Sequence, residues 1–451
     1  MQIIANANEA VLSVLKKFDK NNHSSRLFRY CLQAQVAEGW LLFNLLTREM
    51  VLLSEEEYTN LCQLEYLKER WFLVPEDAKD KEYAELVKWV LSNKKKKSEA
   101  ITRYTIFTTT DCNARCFYCF ELGRSRIPMT HDTALKVVEF IKAHHGGKPV
   151  HISWFGGEPL FNAGVIDTIC DGLRREIIEF KSSMISNGYL FDEKTVRKAA
   201  EKWNLKRVQI TLDGTEKVYN KIKAFIYNTG NPYQVVLNNL GYLLDASIAI
   251  HIRLNMDLYN AEDLLHLIDE LANRFKGRRG LSVYAHHLFK DGTAMAELHT
   301  DEEWEKRDAA MCQLEEKIQH NGFAVQNGIS DTIKVNHCMA DSGRAVTILP
   351  NGDIGLCEHY TESEFIGHID SEGFDAATVA SWKERIPEIP ECAECFYYPE
   401  CIRLKKCSSS RVCYHQYRQE RRRKTQRAMI NEYRKWKNHE FLQDEDDMDE
   451  Y

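Results

Sequence analysis

Three cysteines spaced Cys112-x3-Cys116-x2-Cys119 follow directly on an apolar, strand-like run, Tyr104 to Thr109. This strand and thiol loop constrain the fold more than any other feature of the chain. Three thiols with no histidine beside them are one short of the four that close a tetrahedral zinc site or fully ligate a four-iron cluster. A metal held there keeps an open coordination position. Such a loop belongs on a scaffold that presents its strand ends to a ligand, as parallel α/β barrels do. From residue 101 to about 290, short apolar runs alternate with longer helical patterns, as repeated βα units require. Strands are expected at Tyr104 to Thr109, Val150 to Phe155, Ser183 to Ser186, Val208 to Leu212, Ile248 to Leu254 and Leu281 to Tyr284. Helices are expected over Asp132 to His145, Asn162 to Phe180, Glu193 to Trp203 and Ala261 to Phe275. Six such units make a partial (β/α)6 barrel of the α/β class.

The 14 cysteines are too many for a typical cytosolic enzyme and, over 451 residues, too few for a disulfide scaffold. Seven of them fill 338 to 413, so two clusters imply metal. The balance of 60 Lys+Arg against 67 Asp+Glu, net −7, offers no global field for nucleic acid or an anionic membrane, and neither is expected as a partner. No run of 18 apolar residues and no signal-peptide pattern occurs, which places the chain in the cytoplasm as an expectation.

The chain divides into five parts. Residues 1–92 read as a small α+β unit with strands at Leu27 to Gln35, Trp40 to Phe43 and Met50 to Leu53, and a helix opened by capping-box spacing at Ser54 and Glu57. Residues 93–100, with Lys94 to Lys97, are a linker or, equally, a solvated helix end. The barrel covers 101–300, and 301–420 is cysteine-rich, weakly periodic and dependent on metal to fold. A basic helix and acidic tail fill 421–451.

Cys112-Asn-Ala-Arg-Cys116-Phe-Tyr-Cys119 resembles the signature loop of the radical S-adenosylmethionine (SAM) enzymes, with Tyr118 as the aromatic before the last cysteine. The resemblance implies a [4Fe-4S] cluster that binds SAM and cleaves it reductively to a hydrogen-abstracting 5'-deoxyadenosyl radical. Gly156-Gly157-Glu158-Pro159 is similar to that family's Gly-Gly-Glu-Pro motif. Its bare glycines would let the backbone approach the ligand, and Glu158 would accept from the SAM ammonium. Ser186-Asn187 and Arg253-x-Asn255 fall where the family contacts the SAM carboxylate and ribose. The C-terminal cysteines resemble the SPASM extension, which carries two auxiliary clusters. By that pattern Cys392, Cys395, Cys401 and Cys413 close one cluster and Cys338, Cys357 and Cys407 hold the other, giving three [4Fe-4S] clusters in all. The five residues between Cys401 and Cys407 depart from the family's three. Cys312 or His337 is an alternative fourth ligand to the three, and a zinc ribbon would explain four of the seven cysteines and leave three surplus.

SPASM-bearing enzymes mostly modify peptides, which implies a ribosomal-peptide maturase of the thioether-forming kind. Trp40 to Thr47 then resembles the element that captures a leader peptide as an added strand. A low-potential electron donor such as flavodoxin or ferredoxin is a further implied partner. A carbon-carbon cross-linking maturase and an anaerobic sulfatase-maturing enzyme compete. The second of these is weakened by Glu358 where that family has Asp, and by Tyr219-Asn220 and Lys223 in place of its His-Asp and Arg. A non-enzymatic iron-sulfur or zinc protein binding nucleic acid is the alternative from another class. For catalysis, His286 or His287 faces the barrel mouth, only one of the adjacent pair pointing inward, to orient a peptide or shuttle a proton. A general-base role for Glu358 competes with that of an exposed glutamate.

Overall fold

Alternation along the barrel strands decides the architecture. In the computed structural model, which describes residues 1–18, 25–95, 100–119, 121–227, 230–288, 300–323, 329–336, 338–359, 364–407, 413 and 415–446, every second strand residue is buried against helices. Tyr104, Ile106, Ile152, Trp154, Val208, Ile210, Ile250, Ile252 and Val283 are 0 to 1% exposed on that outer side. The six expected parallel strands are present.

The N-terminal unit holds β1 (Gln2–Ala5), β2 (Ser25–Leu27), β3 (Cys31–Val36), β4 (Gly39–Asn44), β5 (Met50–Leu53) and β6 (Leu73–Pro75). Its antiparallel sheet has the order β1-β5-β4-β3, and β2 pairs with β6. The single strand expected over Leu27 to Gln35 is broken, because Cys31 N donates back to Phe28 O and turns the chain. The capping box is in place: Ser54 Oγ accepts from Glu57 N at 3.2 Å and Glu57 Oε2 from Ser54 N at 2.9 Å. The helix Asp80–Lys95 runs into the start of the expected linker; residues 96–99 lie outside the described residues.

The barrel strands are β7 (Arg103–Thr109), β8 (Val150–Gly156), β9 (Phe180–Ser186), β10 (Leu205–Leu212), β11 (Ala249–Met256) and β12 (Leu281–His287). The helix expected to reach Phe180 stops at Arg175, since Phe180 already belongs to β9. One parallel strand escapes the periodicity. β13 (Ala345–Ile348) pairs in parallel with β7, and β14 (Asp353–Gly355) and β15 (Gly367–His368) follow it antiparallel. The cysteine-rich region thus joins a nine-stranded sheet of order β12-β11-β10-β9-β8-β7-β13-β14-β15.

Two large hydrophobic cores result. One lies between the barrel strands and their helices; the other joins the N-terminal unit to Ile333, Val335, Phe396, Tyr398, Met429 and Tyr433. The last two come from the C-terminal helix His415–Asp446, whose basic residues meet carboxylates: Arg427 with Glu315 at 2.5 Å and Arg423 with Asp308 at 3.0 Å. This helix also reaches the β3 edge, where Gln426 Nε2 donates to Gln33 O at 2.8 Å. Its acidic end beyond residue 446 lies outside the described residues. No described helix is long and apolar enough to cross a membrane.

Candidate functional site

The thiol loop leaves β7 at Thr109 and is pinned at once. Asp111 N donates to Thr109 Oγ1 at 3.0 Å and Cys112 N to Asp111 Oδ1 at 2.8 Å. Gly157 N and Glu158 N, at the end of β8, donate to Thr109 O and Asp111 O at 3.0 Å each. These bonds explain both glycines. A Cβ on Gly156, where φ is +120°, would lie 2.0 Å from Thr109 O, and one on Gly157 would lie 2.3 Å from Asp111 O. The bare positions therefore admit the chain's own thiol loop.

Cys112, Cys116 and Cys119 are partly buried and lie within electrostatic reach of one another. Burial first, then the Glu158 carboxylate, pushes the Cys112 thiol up to about 12. The three soft donors at the mouth of a parallel sheet fit an iron-sulfur cluster, which takes thiolates as ligands.

The Glu158 side chain is fully buried, and its two oxygens accept from Ser186 Oγ at 2.9 and 3.1 Å, Asn187 N at 2.8 Å and Leu160 N at 3.2 Å. So placed, the carboxylate ties the ends of β8 and β9 together. Burial raises it to about 7. Asn187 is the member of the pair that faces the loop, with Nδ2 at 2.7 Å from Asn113 Oδ1 and 3.7 Å from Cys112 Sγ. On β11, Arg253 Nε donates to Asn255 Oδ1 at 2.9 Å, so the two expected contact residues share one face.

Sequence reasoning did not assign a role to the network under the loop. Tyr118 OH donates to Asp213 at 2.9 to 3.0 Å and accepts from Lys223 Nζ at 3.1 Å, and Lys223 pairs with Asp213 at 3.0 Å. Both charges are buried, 4% and 1% exposed at the side chain. Burial opposes the Lys223 charge, yet Asp213, Tyr118 and Cys116 outweigh it and hold the ammonium well above its ordinary range. Arg115 N also donates to Lys223 O at 2.8 Å, so the lysine fixes the loop by backbone as well as by charge. The available signal was a lysine inside an otherwise apolar helical face, nine residues after Gly214 of Leu212-Asp213-Gly214.

The seven C-terminal cysteines fall into two groups. Cys338, Cys357 and Cys407 are electrostatic neighbours, with Glu358 beside the first two. Cys392, Cys395, Cys401 and Cys413 form the other set. Among the described residues no three His, Cys, Asp or Glu side chains are gathered at single-ion distances. Cys312 stands by Arg427 and Asp308 on its own helix, with Arg427 Nη1 donating to its sulfur at 3.4 Å. His337 lies outside the described residues. Cys31 and Cys170 are core, whereas Cys62 is exposed on a short 3-10 turn, Leu61–Gln63.

His286 points inward and His287 outward, as strand alternation requires. His286 Nδ1 lies 2.7 Å from His287 O and 3.1 Å from Arg253 Nη2, and burial with the Arg253 charge pushes the ring down to about 3. A ring so lowered is neutral throughout the physiological range. His287 packs edge-on to Trp304, with ring centroids 5.6 Å apart.

Residues 106–271 match the Radical SAM superfamily. A GTP 3',8-cyclase of Clostridium perfringens is 31% identical over 182 residues, 39% of this chain and 53% of that protein. The chain spans only about a third to a half of the length of the curated relatives it matches. Among solved structures, anSMEcpe with bound AdoMet superimposes with a TM-score of 0.57 at 14% identity, over 75% of this chain and 96% of that one. Streptococcus suis SuiB bound to its precursor peptide SuiA does so with a TM-score of 0.50 at 14% identity, over 84% and 94%. At such identities the likeness is one of fold. The thiol loop at the end of the first barrel strand lies inside the stretch that matches, so residues 106–271 of this chain carry a radical SAM domain, a kind of domain whose chemistry rests on a four-iron cluster and SAM.

Proposed function

We propose that the chain is a peptide maturase that cross-links a ribosomally made precursor, most simply through a cysteine sulfur-to-carbon thioether. The observation that carries this reading is the division of the cysteines into groups of three, three and four, with Cys338, Cys357 and Cys407 one ligand short of closing a four-iron cluster. Fold likeness to SuiB, solved with a precursor peptide, supports a peptide as the substrate class. When bound, the cluster and SAM supply a carbon-centred radical that abstracts hydrogen. The chain's own residues do the rest. Cys112, Cys116 and Cys119 hold the first cluster, Asn187, Arg253 and Asn255 face the SAM site, and the Asp213, Tyr118 and Lys223 network keeps the loop in place. His286, held neutral beside Arg253, orients substrate.

An open iron at the Cys338 group would bind a substrate thiolate and so fix it for bond formation. Glu358 stands beside that group as a candidate carboxylate base. The N-terminal unit would take the leader. The β3 edge is already met by Gln426, which leaves β1, the other edge of the sheet, for strand addition. An external one-electron donor of low potential completes the set of partners.

The test is mass spectrometry of a precursor co-expressed with the enzyme, together with iron and sulfide counts on anaerobic protein. The thioether reading expects loss of two hydrogens and of one alkylatable thiol per link, and about twelve irons per chain. Cys112→Ala, Cys116→Ala and Cys119→Ala together should remove about a third of that iron and all SAM cleavage. A product that loses two hydrogens but keeps every thiol would decide for a carbon-carbon link.

A further inference from the structure

In a packed parallel barrel the inward positions carry layers of branched apolar side chains. Near the N-terminal strand ends this barrel carries polar and charged residues at those positions instead. Strand register sets Arg103, His151 and Lys181 side by side near the N-terminal ends of β7, β8 and β9, and Arg207 beside Ser183 on the next strand. They line a cavity of about 860 Å³ at that end of the strands, opposite the thiol loop. Four lining residues, Arg103, Lys181, Lys206 and Arg207, are cations, against one carboxylate, Glu179. Among the described residues none of the four has an acidic partner. A second cavity of about 220 Å³ shares Arg103, His151, Ser183 and Arg207 with the first and extends to Glu358, next to Cys357. The two cavities adjoin along these shared residues. The local field is positive enough that burial together with Arg103, Arg207 and Lys181 pushes His151 down to about 4.

We propose that this N-terminal mouth of the barrel is a docking site for an acidic peptide segment, threaded toward Glu358. Charge complementarity selects an anion, and the geometry selects carboxylates along a chain over a compact phosphate. The helices His131–His144, Ala163–Arg175 and Glu193–Glu201 each run into the N-terminal end of the next strand, so they turn C-terminal ends, with partial negative charge, toward this face. No glycine lines the cavity, so the backbone cradle that phosphate sites use is missing there. Cations on long stems spread over several strands match side-chain carboxylates at intervals along an extended chain. The inference rests on the peptide-maturase reading only for why a peptide would be there; the binding is independent of it.

Fluorescence anisotropy with full-length, cluster-loaded protein and a labelled acetyl-hexaglutamate probe tests the site. Hexaglutamate should bind and hexalysine should not, and binding should weaken as salt rises. Arg103→Glu with Arg207→Glu should lower the affinity about tenfold or more, and the milder Arg103→Gln with Arg207→Gln, for use if the reversal does not fold, about threefold. Unchanged affinity in a folded variant overturns the proposal, as does displacement of the probe by pyrophosphate at lower concentration than by unlabelled hexaglutamate. Precursor modification read in parallel separates the two ideas. Arginine-dependent binding without any peptide modification leaves the mouth standing and sinks the maturase reading. Modification at full rate by a double variant with unaltered hexaglutamate affinity does the reverse.

Discussion

The barrel core and the N-terminal core each take one of the two C-terminal cysteine groups. Cys338, Cys357 and Cys407 pack against the barrel core, beside Ile354, Leu356 and Leu404. Cys392 and Cys395 pack against the N-terminal core, beside Phe396 and Tyr398. Chain order conceals this, because all seven cysteines follow the barrel in one stretch. The cysteine-rich segment is a bridge whose two halves borrow two different interiors. The N-terminal unit is correspondingly no detachable module, and the junction is polar as well as apolar. Arg48 pairs with Glu400, both buried, Glu400 also accepts from Lys334 N at 2.9 Å, and Tyr398 OH donates to Glu85 at 2.5 Å.

Four experiments break or sharpen this contrast. The largest effect is expected from removing residues 1–95, which strips one side of the second core. The truncated protein should lose the iron of the Cys392 group, about a third of the total, and melt more than about 10 °C lower, while the barrel keeps its share. Iron analysis and calorimetry decide. A full iron count in a soluble truncation would show that the two halves are independent after all.

Next is the buried ion pair across the junction. Arg48→Met alone leaves Glu400 buried without its counter-charge and should cost about 3–5 kcal/mol in denaturant unfolding. Arg48→Met with Glu400→Met should recover most of it. Equal losses in single and double variants would mean that packing, not charge, makes the joint.

A pH effect of about 3 kcal/mol should come from His287, 3% exposed and lying between Trp304 and Glu420 where the barrel meets the C-terminal helix. Burial lowers its pKa from 6.5 to about 4. The unfolded chain therefore binds the extra proton between these values. The stabilising contribution is complete above about 6.5 and is lost as pH falls through about 4. Thermal melts of wild type and His287→Gln across pH 4 to 7 should converge at the acid end; parallel curves would remove His287 from the account.

The smallest effect belongs to the barrel alone. Tyr118→Phe removes one hydroxyl from the Asp213 and Lys223 network and should cost about 1 kcal/mol in unfolding without altering iron content. A loss of iron would instead make Tyr118 a holder of the cluster.

Much of this was legible before any coordinates. The alternation of Val208, Ile210 and Leu212, or of Ile250, Ile252 and Leu254, reports a buried face wherever that face lies, so the six barrel strands and the thiol loop between the first strand and its helix were set by the sequence alone. So was the capping box at Ser54, whose partners are three residues apart. Tertiary structure decided what periodicity cannot encode, namely which surface covers each buried face. β13 is four residues long, too short to show a period, and is recruited by the free edge of β7. The motif places Glu158 at a strand end; only the arrival of Ser186 and Asn187 from the neighbouring strand shows that its oxygens also tie two strand ends together. Lys223 and Asp213 look like surface charges until the loop closes over them. The sequence determines the local period and the donor types; long-range packing determines which of those donors meet.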